Sequence, residues 1–188
     1  MTAQTRSALL KEAEALIRTR GYSAFSYADL AERVGIRKAS IHHHFPTKET
    51  LGAVLIDEYL ERFTAELKAL AARKLDTAGR LNVYGDFFAA GLRDGMMPLC
   101  GALASDVAFL PKSMQVRVDR FFKLHLEWLE NVLAEGVKAG ELRRDVKPER
   151  AARFLLSALQ GASLVGWALK DAGVVKPVLK DAIASLTE

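Results

Sequence analysis

Apolar residues recur three and four positions apart along almost the whole chain, and no stretch of strict alternation exceeds a few residues. Spacing of three and four puts apolar side chains on one face of an α-helix, whereas alternation is typical of strands. The five prolines fall between the periodic segments, where helices start or end. The pattern predicts an all-α protein of about nine helices.

The N-terminal part of the chain carries the pattern of a helix-turn-helix. A first helix is predicted from about residue 3 to Arg20. Ser26 is placed to cap a second helix with its hydroxyl, and Gly35 ends that helix. A third helix follows at about 37–44. Two short helices joined by a tight turn that contains glycine predict a three-helix DNA-binding domain over residues 1–47.

The remaining residues, 48–188, are predicted to form a second, C-terminal domain, a helical bundle that dimerises. No Gly/Pro/Ser-rich linker precedes it, so a long fourth helix joins it directly to the first domain. The last predicted helices, about 148–170 and 177–187, have more apolar surface than one protomer needs. We therefore expect a homodimer with a self-complementary interface on these two helices.

Charge distribution separates the two parts of the chain more clearly than composition does. Of 188 residues, half are apolar and the net charge is +4. Residues 1–50 carry eight Lys/Arg against five Asp/Glu, while the remainder is nearly balanced at nineteen against eighteen. This excess favours an anionic partner for the N-terminal domain.

The single cysteine excludes an intramolecular disulfide. Without an apolar signal region or a membrane-length apolar run, we expect a soluble cytoplasmic protein.

Helical geometry divides the third helix into a buried and an outward face. With Ile41 toward the core, Ala39 and His43 point outward, and Ser40 and His42 lie beside them. Short and polar side chains let a helix enter the DNA major groove and form hydrogen bonds with base edges. This face therefore predicts a recognition helix.

Further cations lie at the edges of this face, and its histidines invite another interpretation. Arg37 and Lys38 can reach phosphate or guanine, and Lys48 lies in the first turn of the fourth helix, where a phosphate is favoured. Residues 42–44 are three consecutive histidines. Because neighbours on a helix diverge by about 100°, they do not share one ion easily, and helical metal sites prefer i, i+4 spacing. We predict no metal site and no cofactor.

Residues 26–51 closely resemble the helix-turn-helix signature of the TetR family of bacterial transcriptional regulators. The matching residues are Gly35, Ile36, Ser40, Ile41, His43, His44, Phe45, Lys48 and Leu51. The resemblance implies a dimeric repressor that binds a palindromic double-stranded DNA operator until a small-molecule effector releases it. It also implies the residues that face DNA, namely Lys38, Ala39, Ser40, His42, His43 and His44, with Tyr27 and Lys48 on the DNA backbone. His42 departs from the family pattern, which has tyrosine there, so its phosphate contact is expected to depend on pH.

The same resemblance implies an effector pocket within the C-terminal bundle. Its candidate residues are Tyr59, Phe63, Phe88, Cys100, Phe121, His125 and Trp128. Ordinary core packing is the competing interpretation of these side chains. His125 interrupts an apolar stripe, and we favour a core histidine bonded to a backbone carbonyl over a polar anchor for a ligand. Cys100 is interpreted as an inert buried thiol, with a sensor of oxidants or electrophiles as the alternative.

Two other classes of function are weighed against the DNA-binding regulator. An enzyme would need a nucleophile and a base, and Cys100 with His125 is the only plausible pair, so we predict that the chain is not an enzyme. A helical interaction module without DNA contact would make the outward residues of the third helix replaceable. The sequence does not identify the effector, the operator or the regulated genes.

Overall fold

The computed structural model describes residues 3–187, which form nine α-helices and no strand. This confirms the all-α prediction. The helices are α1 (Ala3–Arg20), α2 (Tyr27–Val34), α3 (Lys38–His44), α4 (Lys48–Ala71), α5 (Thr77–Arg93), α6 (Leu99–Ser105), α7 (Lys112–Ala139), α8 (Pro148–Leu169) and α9 (Val175–Thr187). The last helix begins at Val175 and not at Pro177, because a short 3-10 turn leads directly into it.

The helices pack into two compact units. The first unit comprises the residues up to Arg62 together with Leu99–Arg120, and the second comprises Phe63–Pro98 and the residues from Phe121 onward. The chain passes between the two units three times, within α4, between Pro98 and Leu99, and within α7. The predicted domain boundary after residue 47 divides the chain by function, whereas these two units are defined by packing. The boundary therefore stays a prediction.

Local sequence determines the ends of α2 in the first unit. The Ser26 hydroxyl accepts the backbone N–H groups of Ala28 and Asp29, and the Asp29 carboxylate accepts the Ser26 N–H at 2.7 Å. Such a capping box satisfies amides that the helix leaves unpaired. Gly35 ends the helix with φ of 71°, a left-handed conformation that glycine adopts without a Cβ penalty. The turn between α2 and α3 is therefore encoded locally, as predicted.

In the second unit, α5 packs against α8 and α9. Gly85 on α5 allows this, because a Cβ there would collide with the side chain of Leu179 on α9. The apolar residues of α9, including Val175, Leu179 and Ile183, are buried inside the protomer. The expectation that α9 carries surplus apolar surface is therefore wrong.

Of these two terminal helices, α8 carries the exposed apolar surface. Its exposed large apolar residues are Phe154, Leu164, Val165, Trp167 and Leu169. Gly161 lies on the same face, with open space where a side chain would begin. By length and composition alone α8 would also be apolar enough to span a bilayer, a property that core helices share. One face of α8 is thus available for another chain.

Candidate DNA-binding surface and effector site

The helix α3 is held by two buried side chains and presents its other faces to solvent. Ile41 is 0% exposed and Phe45 is 2% exposed. Arg37, Lys38, Ala39, His42 and His43 are exposed, and Ser40 and His44 are half-buried. The predicted orientation of the helix is confirmed. The DNA contacts of these residues stay predictions.

Tyr27 has an internal role that the sequence did not indicate. It is buried, and its hydroxyl donates a hydrogen bond of 2.9 Å to the carbonyl of Phe45, directly after α3. Burial, with a smaller contribution from Tyr22, raises the pKa of Tyr27 to about 12. This hydroxyl ties the end of α3 to α2. The contact between Tyr27 and the DNA backbone stays a prediction, and it would compete with this internal bond.

Lys48 is also engaged within the first unit. Its Nζ donates to the carbonyls of Tyr22 at 2.6 Å and Phe25 at 2.5 Å. It lies 4.4 Å and 4.3 Å from the ring centroids of the same two residues, so cation–π attraction adds to the hydrogen bonds. Desolvation lowers the pKa of Lys48. Its phosphate contact stays a prediction, and it would compete with these internal bonds.

The hydrogen bonding of His42 restricts its tautomer. Its Nδ1 lies 3.1 Å from the carbonyl oxygen of Pro46, and its ring contacts that of Tyr27 at 4.9 Å between centroids. A carbonyl oxygen only accepts hydrogen bonds, so the proton is on Nδ1. Nε2 then carries a proton only when the whole ring is charged. In this arrangement His42 donates to a phosphate only as an imidazolium.

The other two histidines of the run differ in exposure. His43 is exposed on the outward face, whereas His44 is half-buried and its Nε2 is buried without a partner among the described residues. Residues 3–187 contain no group of three or more side chains suited to hold a metal ion.

The second unit contains an aromatic cluster built from three helices, and it surrounds a histidine. Phe63 of α4 stacks on the ring of His125 of α7, with centroids 4.3 Å apart and planes 15° apart. Phe121, one turn earlier on α7, lies 4.1 Å from the same ring. Phe88 and Tyr84 of α5 meet it edge-on at 6.0 Å and 5.6 Å. We call these five residues the aromatic cluster.

His125 is the polar centre of the aromatic cluster. It is 2% exposed, its Nδ1 is hydrogen-bonded to the Tyr84 hydroxyl, and its Nε2 has no partner among the described residues. Desolvation lowers the pKa of His125 to about 3, so the ring is neutral at physiological pH. The predicted backbone-carbonyl partner of His125 is wrong. Tyr84 was not among the predicted effector residues. Its hydroxyl on the apolar stripe of α5 could have indicated a buried polar partner in the sequence.

The structure divides the predicted effector residues between the two units. Phe63, Phe88, Phe121 and His125 belong to the aromatic cluster, and Trp128 stacks on Tyr84 at 5.0 Å. Tyr59 and Cys100 belong to the first unit. They were grouped with the others because sequence spacing does not reveal which core a helical side chain joins.

Cys100 is fully buried in the first unit, where α6 packs against α1. Desolvation raises its thiol pKa well above the ordinary value. The reactive species of cysteine is the thiolate, so a buried and protonated Cys100 does not have the chemistry of an oxidant or electrophile sensor. The structure supports the interpretation as an inert thiol.

Comparisons with known proteins agree with this architecture. Residues 9–53 match the family model described as bacterial regulatory proteins, tetR family. The HTH-type transcriptional repressor KstR2 of Rhodococcus jostii (strain RHA1) is 30% identical over 158 residues, which cover 80% of this chain and 74% of that protein. The HTH-type transcriptional repressor DhaR of Mycobacterium sp. (strain GP1) is 27% identical over 163 residues, covering 85% and 80%. A crystal structure of a TetR-family transcriptional regulator from Agrobacterium tumefaciens aligns with a TM-score of 0.93, at 30% identity and 98% coverage of both chains.

Proposed function

Because this chain belongs to the TetR family of bacterial transcriptional regulators, we propose that it is a dimeric repressor that reads a palindromic operator with α3. The single observation that carries this proposal is the outward face of α3. Ala39, His42 and His43 are exposed on a helix anchored by Ile41 and Phe45. The regulator acts on DNA, so we expect it in the cytoplasm.

Two groups of contacts follow from this surface. Ala39, Ser40 and His43 are the candidates for base edges, because small and polar side chains fit the floor of the major groove. Arg37, Lys38, His42 and His44 are the candidates for flanking contacts, in which cations position the helix on phosphates. Lys48 and Tyr27 also belong to this second group, and a phosphate would compete with their internal hydrogen bonds.

The exposed face of α8 supports the dimer. Phe154 is 53% exposed and Val165 is 49% exposed, with Gly161 between them on the same face. A contiguous apolar face on the surface of a protein marks a contact with another chain, and glycine lets two helices approach closely. A symmetric pair of α8 helices would present two copies of α3, which matches a palindrome with half-sites about 34 Å apart.

The aromatic cluster supports an effector-controlled release. Phe63 belongs to α4, and α4 begins at Lys48, four residues after α3 ends. A ligand that displaces Phe63 would therefore act on the helix that leads directly to the recognition helix. Release requires only that the ligand binds one state of the dimer more tightly than the other.

The structure does not favour the alternative that the chain is an enzyme. The candidate nucleophile and base were Cys100 and His125, which are a protonated thiol and an imidazole with a pKa of about 3. Neither is a nucleophile or a base at neutral pH. The curated relatives reported above are repressors.

Gel-shift titration on the DNA upstream of the chain's own gene tests the proposal. We expect a complex that dissociates at high salt and resists random competitor DNA. His43→Ala should weaken it by about tenfold or more, since a base contact is worth roughly 1–3 kcal/mol. Lys176→Ala on the solvent-exposed side of α9 is the matched control and should bind like the wild type. Equal affinity of the wild type for promoter and random DNA would contradict the proposal.

A further inference from the structure

We propose that the effector is an uncharged aromatic molecule with a carbonyl-type oxygen that accepts a hydrogen bond from Nε2 of His125. The inference depends on the proposed repressor function in one respect, namely that binding of the effector releases DNA. The binding itself follows from the geometry of the aromatic cluster.

The cluster contains one polar atom that the protein does not satisfy. Nε2 of His125 is buried and has no hydrogen-bond partner among the described residues, while Nδ1 is paired with Tyr84. Leaving a buried polar group unpaired is costly, and such groups are rare in folded proteins. A ligand that pairs with Nε2 would therefore gain binding free energy at this atom.

The pairing with Tyr84 determines which kind of partner Nε2 needs. The ring is neutral, so one of its nitrogens donates and the other accepts. A phenol hydroxyl is the more acidic donor, and imidazole nitrogen is the more basic acceptor, so Tyr84 donates to Nδ1. The single ring proton then lies on Nε2. The complementary ligand atom is an acceptor, such as the oxygen of a ketone, aldehyde, ester or quinone.

The surroundings of His125 disfavour an anionic group on the ligand. The aromatic rings that contact the His125 ring are those of Phe63, Tyr84, Phe88 and Phe121, and none of them carries a charge. A carboxylate would lose its hydration and receive one hydrogen bond from a neutral histidine, which does not compensate. At Nε2 itself, an N–H group offers no acceptor to an ammonium group. The site therefore selects against acids.

The same rings favour an aromatic ligand. Aromatic groups prefer offset-stacked and edge-to-face contacts with other rings, and the cluster already uses both kinds around His125. Phe87 and Trp128 are half-buried, and they contact Phe63 at 5.7 Å and Tyr84 at 5.0 Å. The aromatic cluster therefore adjoins the surface of the second unit at these two rings.

Three probes of one shape test the inference by calorimetry on the full-length wild-type protein. They are 2-acetonaphthone, 2-ethylnaphthalene and 2-naphthoate, which present a ketone, a hydrocarbon and a carboxylate on the same ring system. We expect the ketone to bind about fivefold or more tightly than the hydrocarbon, as one net hydrogen bond provides. The carboxylate should bind more weakly than both. Equal binding of ketone and hydrocarbon, or tightest binding of the carboxylate, would overturn the inference.

The variant His125→Phe locates the hydrogen bond. It should remove the preference for the ketone over 2-ethylnaphthalene, because a phenyl group has no N–H to donate. Nitrogen-15 spectra of histidine-labelled wild type give a readout that needs no variant. The Nε2–H resonance of His125 should shift downfield with the ketone and not with the hydrocarbon. An unchanged Nε2–H resonance under saturating ketone would contradict the assigned contact.

The two proposals fail separately. If the protein binds its promoter DNA but shows no ketone preference, only the effector class is wrong. If it does not bind promoter DNA, the repressor function is wrong whatever the probes do. A ketone that binds through Nε2 without weakening the DNA complex would support the binding site and contradict its role in release.

Discussion

Two histidines that each use Nδ1 for a hydrogen bond differ in the direction of that bond and in their surroundings. His42 on α3 uses Nδ1 for the Pro46 carbonyl, and its ring is exposed. His125 on α7 uses Nδ1 for the Tyr84 hydroxyl, and its ring is enclosed by the aromatic cluster. Burial among apolar rings disfavours the charged form of His125. The aromatic cluster therefore suits a neutral molecule, whereas the exposed His42 lies on the surface that we propose contacts DNA.

The largest expected effect is on stability, when a lysine replaces a histidine in the aromatic cluster and on the exposed face of α3. His125→Lys buries an ammonium group among phenyl rings and should lower the free energy of unfolding by about 3–5 kcal/mol. His43→Lys on the exposed face should change it by less than about 0.5 kcal/mol. Urea unfolding at one protein concentration measures both variants. Similar losses of stability in the two variants would show that the sites do not differ in burial.

Acid should destabilise the protein through His125 before the carboxylates titrate. The folded-state pKa is about 3 against an ordinary value of 6.5, so between these values the unfolded state binds the extra proton. The stabilisation is complete above about pH 6.5 and is lost as pH falls toward 3. By pH 5 the loss should be about 2 kcal/mol per protomer. Unfolding curves at pH 7 and pH 5 should show this difference, and His125→Phe should remove it.

Substitutions of Lys48 and Lys38, at the start of α4 and of α3, should have different effects, one on stability and the other on DNA binding. Lys48→Met removes two hydrogen bonds from a charged donor and should cost about 2 kcal/mol of stability, because the Tyr22 and Phe25 carbonyls lose their partner. Lys38→Met should leave stability unchanged and reduce the salt dependence of operator binding by about one phosphate contact per protomer. Salt-dependent gel shifts and thermal unfolding together check the pair. An unchanged melting temperature in Lys48→Met would contradict the internal role of Lys48.

The smallest expected effect concerns His42. His42→Ala should weaken operator binding by about fivefold or less, because it removes one candidate phosphate contact at the edge of α3. His43 and His44 remain in both proteins, so the difference between the two affinities isolates His42. Gel-shift titrations of the two proteins on one operator measure this difference, and equal affinities would contradict the phosphate contact.

Features encoded within a few residues were predicted well from the sequence. The capping box at Ser26, the left-handed stop at Gly35 and the orientation of α3 around Ile41 depend on neighbours within one or two helical turns. The family signature lies in the same stretch. The helical nature of the chain and the outward face of α3 therefore followed from local patterns.

Features that depend on distant partners were not predictable in the same way. The Tyr27 hydroxyl meets a carbonyl 18 residues away, and Lys48 meets carbonyls 26 and 23 residues away. The Tyr84–His125 pair joins side chains 41 residues apart on different helices. Periodicity shows that such a side chain faces a core but does not show what it meets there. For the same reason the sequence did not show that the apolar stripe of α9 packs inside the protomer.

The measurement that tests the central claim most directly is selection of DNA from a random pool by the purified wild-type protein, with His43→Ala in parallel. The account predicts an enriched palindrome whose half-sites lie one helical turn, or a multiple of it, apart. His43→Ala should lose the preference at one or more positions within each half-site. A pool that remains random, or a palindrome read equally well by both proteins, would contradict recognition through the outward face of α3.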